Sequence, residues 1–158
     1  MAIYLKIAGI QGSVTTVGYE GCIDVSNYTV NASRAMTQKS ATAGDRTVGT
    51  LNFSSVILNK MLDAATVGLL QYFYKAKVIP ELSFCHVTTG ATPQCYLTNT
   101  LSNVMIGRYS EINGSRDTLE EIEMYFTAHQ KTVTTMDSTH KPMAPQVAGF
   151  DTTKATSM

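Results

Sequence analysis

Neither sign of charge predominates in this chain: Lys plus Arg is 12, Asp plus Glu is 12, and the formal net charge is zero. Nucleic-acid binders carry a basic surplus, so that class is set aside. Charged residues make up 15% of the chain, against about 25% in an ordinary globular protein. A neutral, charge-poor surface is prone to self-association. No apolar run approaches the roughly 20 residues of a membrane span, and no membrane insertion is expected. Met1 to Ile10 has neither the basic start nor the apolar stretch of a secretory signal, so the chain is expected to begin its life in the cytoplasm. Cysteine is scarce and odd in number. Cys22, Cys85 and Cys95 lie in strand-like runs, whereas a disulfide framework needs an even set. Reduced, buried thiols are expected.

Catalytic signatures are also missing. The sequence has no phosphate-cradling glycine loop and no nucleophile elbow. His86, His129 and His140 are scattered, with no Cys or carboxylate at ligand spacing, so neither a metal nor another cofactor is expected. Ser54, Ser55 and the threonines have no neighbouring His to act as a relay. The chain reads as a building block and not as an enzyme.

What is present is alternation. Ile3, Leu5 and Ile7 alternate with Tyr4, Lys6 and Ala8, which predicts a half-buried strand. Val14 to Gly18 fits a second short strand or an extended loop. Ile23 and Val25 begin an alternation that changes phase near Asn27, the mark of a bulge. From Val48 to Ser83 the pattern runs strand, short helix, strand. Asp63 is placed to cap the helix by accepting from the Thr66 amide. On the helical wheel Ala64, Gly68, Gln71 and Lys75 form a narrow polar or small stripe, and Leu62, Val67, Leu69, Leu70, Phe73 and Tyr74 cover the rest. That arc exceeds the roughly 100° a surface helix needs, so the helix is expected to touch its own sheet and a second surface. Val67, Leu70 and Tyr74 are the candidate subunit-interface residues.

Pro80 fits a strand start. Tyr96 to Met105 predicts a strand ended by Ile106-Gly107, and Asn113-Gly114 is a strong turn signal. Ile122, Met124 and Phe126 alternate with Glu121, Glu123 and Tyr125. Glu120, Glu121 and Glu123 read as a solvated or inter-subunit run. Residues 31–46 show no periodicity and read as an extended loop, longer than an ordinary hairpin allows. Residues 137–158 read as a largely irregular tail. At 158 residues the chain is read as one domain, 1–158, able to bury roughly two-thirds of its unfolded surface. Short antiparallel strands with one apolar helix make a small barrel or sandwich.

In this order the residues resemble the tube protein of the type VI secretion system, the Hcp family. The opening through Gly18-Tyr19-Glu20-Gly21 is similar to its first hairpin. Arg34 and Asp45-Arg46 resemble the entry and exit of its long loop, and Lys60 with Asp63 its pre-helix pair. Tyr96-Leu97 through Leu101, Val104 and Ile106 resemble its central hairpin. Asn113 to Asp117, then Glu120, Ile122, Met124, Phe126 and Thr127, resemble its glutamate-led strand, and Gly149-Phe150-Asp151 its close. Cys22 stands where a Trp is expected, Ala65-Thr66 depart from a Ser after the Asp, and His129-Gln130-Lys131 breaks the apolar alternation.

The resemblance implies a mainly β fold, a two-sheet antiparallel β-barrel with one α-helix packed alongside. It implies a homohexameric ring that stacks with others into a hollow tube, expelled by a contractile sheath, capped by a spike protein and carrying effector proteins. In that assembly the loop residues Arg34, Met36, Lys39 and Arg46 are the candidate ring-stacking contacts. Glu20, Glu111 and Glu121 are their candidate acidic counterparts. A tail-tube protein of a contractile phage or phage-like particle is the nearest alternative, and a small β-barrel ligand-binding or enzyme domain a distant one.

Overall fold

The computed structural model describes residues 1–38 and 46–158. Its elements are β1 (Ala2–Ile7), β2 (Ile23–Asp24), β3 (Asn27–Thr29), β4 (Ala32–Gln38), β5 (Arg46–Phe53), β6 (Val56–Met61), α1 (Thr66–Tyr74), β7 (Ile79–Val87), β8 (Cys95–Asn113), β9 (Thr118–Tyr125), β10 (Ala128–Val133), β11 (Gln146–Asp151) and β12 (Thr156–Ser157). Period-two alternation sets the faces. Leu5 and Ile7, Val56 and Leu58, Leu82 and Phe84, and Ile122 and Met124 all turn inward and are buried. They meet in one core with Leu101, Ile106 and Phe126.

All described strand pairs are antiparallel. One sheet runs β12-β11-β10-β8-β7-β1-β2, and a second branches from β8 through β9 and β6 to β3. β8 serves both. Its first half lies between β7 and β10, and its second half pairs with β9. The bend between the halves falls where Asn103 takes a positive φ of 53° and where the register slips between Ile106 and Arg108. A Cβ on Gly107 would lie 2.4 Å from the Tyr125 ring, so this glycine marks a close approach inside a strand. The strand expected to end at Ile106-Gly107 therefore continues to Asn113.

The phase change near Asn27 has a similar cause. The chain leaves one sheet and joins the other: the Val25 amide donates to Ile3 O (3.0 Å), and the Ser26 amide to Asn59 O (2.8 Å). These two bonds bridge the sheets where the ladders leave the barrel open between β2 and β3. Tyr28 then stacks on Phe84 across the interior, with ring centroids 4.0 Å apart.

Three other expectations change. Residues 31–46 are not a loop throughout, because Ala32–Gln38 pairs with Arg46–Phe53. The pattern hid this pair because β4 has no buried face to impose alternation: its residues 32–37 are all exposed. The tail contains β11 on β10 and β12 on β11, held by backbone bonds with few buried side chains. Of the two readings of Val14 to Gly18 the extended loop holds, tied down by the Gly21 amide donating to Val14 O (2.9 Å). Asp63 does not bond the Thr66 amide with its side chain; its Oδ1 accepts from the Ala65 amide at 3.0 Å. Pro80 lies in the first residues of β7, as its missing N–H requires.

Candidate assembly surfaces

Among the described residues the β4–β5 ribbon is a two-stranded sheet whose strands pair only with each other. It is rooted where the Ser54 amide donates to Asn31 O (2.9 Å) and where the Phe53 ring meets Phe126, 5.0 Å between centroids. Beyond the root it becomes an arm. Arg34 donates from its guanidinium to Gly49 O at 3.2 Å, across the bulge between Arg34 and Met36. Gly49 is required there, since a Cβ would lie 2.7 Å from Ala35 O. Past the bulge, Met36 faces Val48 in register, and the two are 59% and 55% exposed. Arg46 begins β5 opposite Gln38. Lys39 lies outside the described residues. The arm is thus a ribbon carrying an unburied apolar pair, a structure that is marginal in water on its own.

The helix is the second surface. Ala65, Thr66 and Leu69 are buried against the sheets. Leu70 and Phe73 are half-buried. Val67 and Tyr74 stand 64% and 75% exposed, one face of two turns, with Leu62 at 58% just before them. The wide apolar arc is real: one part meets the body and the other has no cover in the monomer.

Between helix and sheet lies a buried charge cluster, which corrects the reading of Glu120 as part of a solvated run. Lys60 shares the phase of Val56 and Leu58, and Glu120 that of Ile122 and Met124, so both point inward. Both are fully buried. The Lys60 ammonium pairs with Glu120 Oε2 and with Asp63 Oδ1 (2.9 Å), and it donates to Met61 O (2.9 Å) and Thr66 Oγ1 (3.2 Å). Thr66 Oγ1 donates in turn to Glu120 Oε2 at 3.0 Å, and the Tyr109 hydroxyl donates to Glu120 Oε1. Burial, then the Glu120 and Glu111 carboxylates, push the Tyr109 phenol pKa up. The cluster joins β6, β9, β8 and the first turn of α1.

The acidic candidates fall in different places. Glu111 Oε2 lies 3.0 Å from the Tyr109 hydroxyl, whose single proton it shares with Glu120, at the exposed end of β8, and Glu20 accepts from the Gly18 amide (2.9 Å). Glu121 is already engaged by Arg108 of its own chain at 2.8 Å, and Glu123 by the same guanidinium at 3.0 Å. The structure brings none of them to Arg34 within one subunit. Cys22, Cys85 and Cys95 are free thiols, with Cys22 buried and the other two half-buried. No group of three or more His, Cys, Asp or Glu that could hold a metal occurs among the described residues. No helix among them is long and apolar enough to cross a membrane.

Sequence reasoning overlooked one polar cluster at the inner face of the large sheet. Asn99, 5% exposed, donates through Nδ2 to Tyr28 Oη and accepts at Oδ1 from His129 Nε2 (2.9 Å). With Asn99 donating to the Tyr28 oxygen, the described acceptor within reach of the Tyr28 proton is His86 Nε2, 2.8 Å away, and the bond is assigned in that direction. Burial, and secondarily the charge of Lys131, lower the pKa of both His86 and His129 from the ordinary 6.5. Both rings therefore favour the neutral form more than a free imidazole does. Above pH 6.5 folded and unfolded chains agree; below it the unfolded chain takes up protons that the folded one refuses, and stability falls until the lowered pKa values are passed. The urea midpoint is expected to drop between about pH 7 and pH 5.5, before carboxylates titrate. A flat profile across that window would contradict the assignment.

The family described as "Type VI secretion system effector, Hcp" matches residues 4–133. Among solved structures the chain is similar to a type six secretion system protein at 19% identity, covering 99% of each chain with a TM-score of 0.90. It is similar to Hcp1 from Salmonella typhimurium at 20% identity, covering 99% of this chain and 98% of that one, with a TM-score of 0.77. A looser likeness, 9% identical with a TM-score of 0.52, is to the baseplate of the anti-feeding prophage, covering 82% of this chain and 90% of that one. No curated protein matches by sequence. These structural likenesses carry the fold, and the family match over most of the chain carries the assignment: the chain belongs to the Hcp family, whose members are structural subunits of the type VI secretion tube and not enzymes.

Proposed function

We propose that six copies of this chain close into a ring, with the uncovered helix face at the junction between neighbours and the arm reaching to the next ring. The family forms stacked tube assemblies, and the arm is the observation that carries the proposal for this chain. A ribbon bonded only to itself, with Met36 and Val48 uncovered, is favoured once a neighbour covers it. In the complete assembly the tube carries effector proteins, is capped by a spike protein and is driven by a contractile sheath. The subunit waits in the bacterial cytoplasm before firing.

Substitutions on α1 separate folding from assembly. Tyr74→Asp and Val67→Asp change side chains that stand in water in the monomer, so the urea midpoint is expected to stay put while sedimentation shows the ring giving way to monomers. Leu69→Ala removes a side chain that is 1% exposed and is expected to cost about 2–5 kcal/mol of stability. Rings that survive both aspartate substitutions would remove the helix from the junction.

A further inference from the structure

His86 and His129 line a hollow of about 350 Å³ together with residues of β1, β3, β4, β8 and β10, within the size range of small-ligand sites. Three of its features are independent of the tube. The first is charge. Lys131, His86 and His129 are in its wall, Asp and Glu are not, and Lys131 enters no ion pair among the described residues. The second is pre-organisation. Tyr28 is held by its stack on Phe84, and the buried Asn99 has its amide fixed at both ends. The third is an apolar side to the same wall, supplied by Ile3, Val30 and Leu97. A second hollow, of about 830 Å³, lacks this one-signed character because Asp24 and Asp63 line it.

We propose that this hollow binds a carboxylate carrying a short aliphatic group, the carboxylate on Lys131 and His129 and the aliphatic group on Ile3, Val30 and Leu97. The direction of the hydrogen bonds decides which imidazole takes part. The chain of donors runs from His129 through Asn99 and Tyr28 to His86. His86 uses Nε2 as the acceptor of the Tyr28 proton, so protonating it there would break the chain. His129 already donates from Nε2, and a proton added at its other nitrogen, Nδ1, leaves every bond in place. A bound anion therefore draws a proton onto His129 and not onto His86. An opposite charge within about 4–6 Å raises such a pKa by roughly 1–3 units. Lys131, Tyr28, Tyr96, Asn99 and the Phe53 and Phe126 rings face the two imidazoles.

Two sources of this chemistry exist, a free branched-chain acid and the C-terminus of a polypeptide. Titration calorimetry of the full chain near pH 6, in two buffers of different ionisation enthalpy, reads both affinity and proton uptake. The probes are isovalerate, N-acetyl-alanyl-valine and the amide of that dipeptide. Saturable binding of at least one carboxylate with net proton uptake, and none of the amide, is expected. Tighter binding of the dipeptide identifies a chain terminus as the ligand, and equal or tighter binding of isovalerate a free acid. Lys131→Met, at an exposed position, is expected to weaken binding about tenfold, the loss of one charge-assisted contact. His129→Gln keeps a donor for Asn99 and is expected to abolish the proton uptake, while His86→Asn leaves the uptake in place. Failure of both carboxylates to bind, equal binding of the amide, unchanged affinity in Lys131→Met, or uptake that follows His86 would overturn the proposal.

Discussion

Lys60→Met is expected to lower the unfolding free energy by about 3–5 kcal/mol, because it leaves Glu120 buried and unpaired. Total stability for a domain of this kind is about 5–15 kcal/mol, so the loss is a large fraction of it. The reason lies in where the ammonium sits. It is fully buried, with two carboxylates, a hydroxyl and a carbonyl around it. Coulomb attraction alone does not make such a cluster favourable, since taking both charges out of water costs several kcal/mol per ion. What the protein gains is a defined docking of the first turn of α1 through Thr66 and Asp63. The double variant Lys60→Met with Glu120→Leu removes the orphaned charge as well. It is expected to recover most of the loss in urea denaturation while weakening the seating of the helix, so that α1 amides exchange faster with solvent. If the single variant is as stable as the parent, the cluster is not what holds sheet and helix together.

The same residues show how far the sequence can be read. Lys60 and Glu120 are visible as inward-phase positions beside Leu58 and Ile122. Charged side chains at such positions are usually assumed to be solvated, and reading the run Glu120-Glu121-Glu123 as one surface feature hides that Glu120 faces the opposite way. The strands β1, β7 and β9 are legible from alternation, because burial on one side writes period two into the chain, whereas the run read as one strand from Val48 to Leu58 is two, β5 and β6, parted at Ser54-Ser55. The arm and the terminal strands are not. β4, β11 and β12 are held by backbone bonds that any residue can make, and most of their side chains remain in water. The bend in β8 resembles an end, since a glycine looks the same in sequence whether it stops a strand or makes room for the Tyr125 ring. The cluster of His86, Tyr28, Asn99 and His129 draws on four strands, and nothing local signals it; the broken apolar pattern at His129-Gln130-Lys131 is its one trace.

Replacing residues 34–50 by a short Gly-Ser linker is expected to leave the fold and the ring in place and to abolish stacking and export. The described residues removed, 34–38 and 46–50, pair only with one another in the sheet and are absent from the described core. An arm can strengthen a ring junction in two ways. Covering Met36 and Val48 is worth about 1.5–3 kcal/mol for each side chain fully buried. Ion pairs from Arg34, Lys39 or Arg46 to Glu20, Glu111 or Glu121 of a neighbour, if exposed, are worth about 0–1 kcal/mol each, and Glu121 must first leave Arg108. Burial of the apolar pair therefore outweighs the ion pairs, and it recurs six times per junction. Salt screens only the charged part, so raised ionic strength is expected to shorten stacks without eliminating them. Met36→Asp with Val48→Asp is expected to eliminate them at any ionic strength.

Electron microscopy of the full chain beside its armless variant is the most direct test of an arm that joins ring to ring. Six-fold rings with a central hole are expected for both proteins, stacked into tubes for the full chain and single for the variant. Monomers without rings for the full chain, or armless rings that stack into equally long tubes, would contradict it.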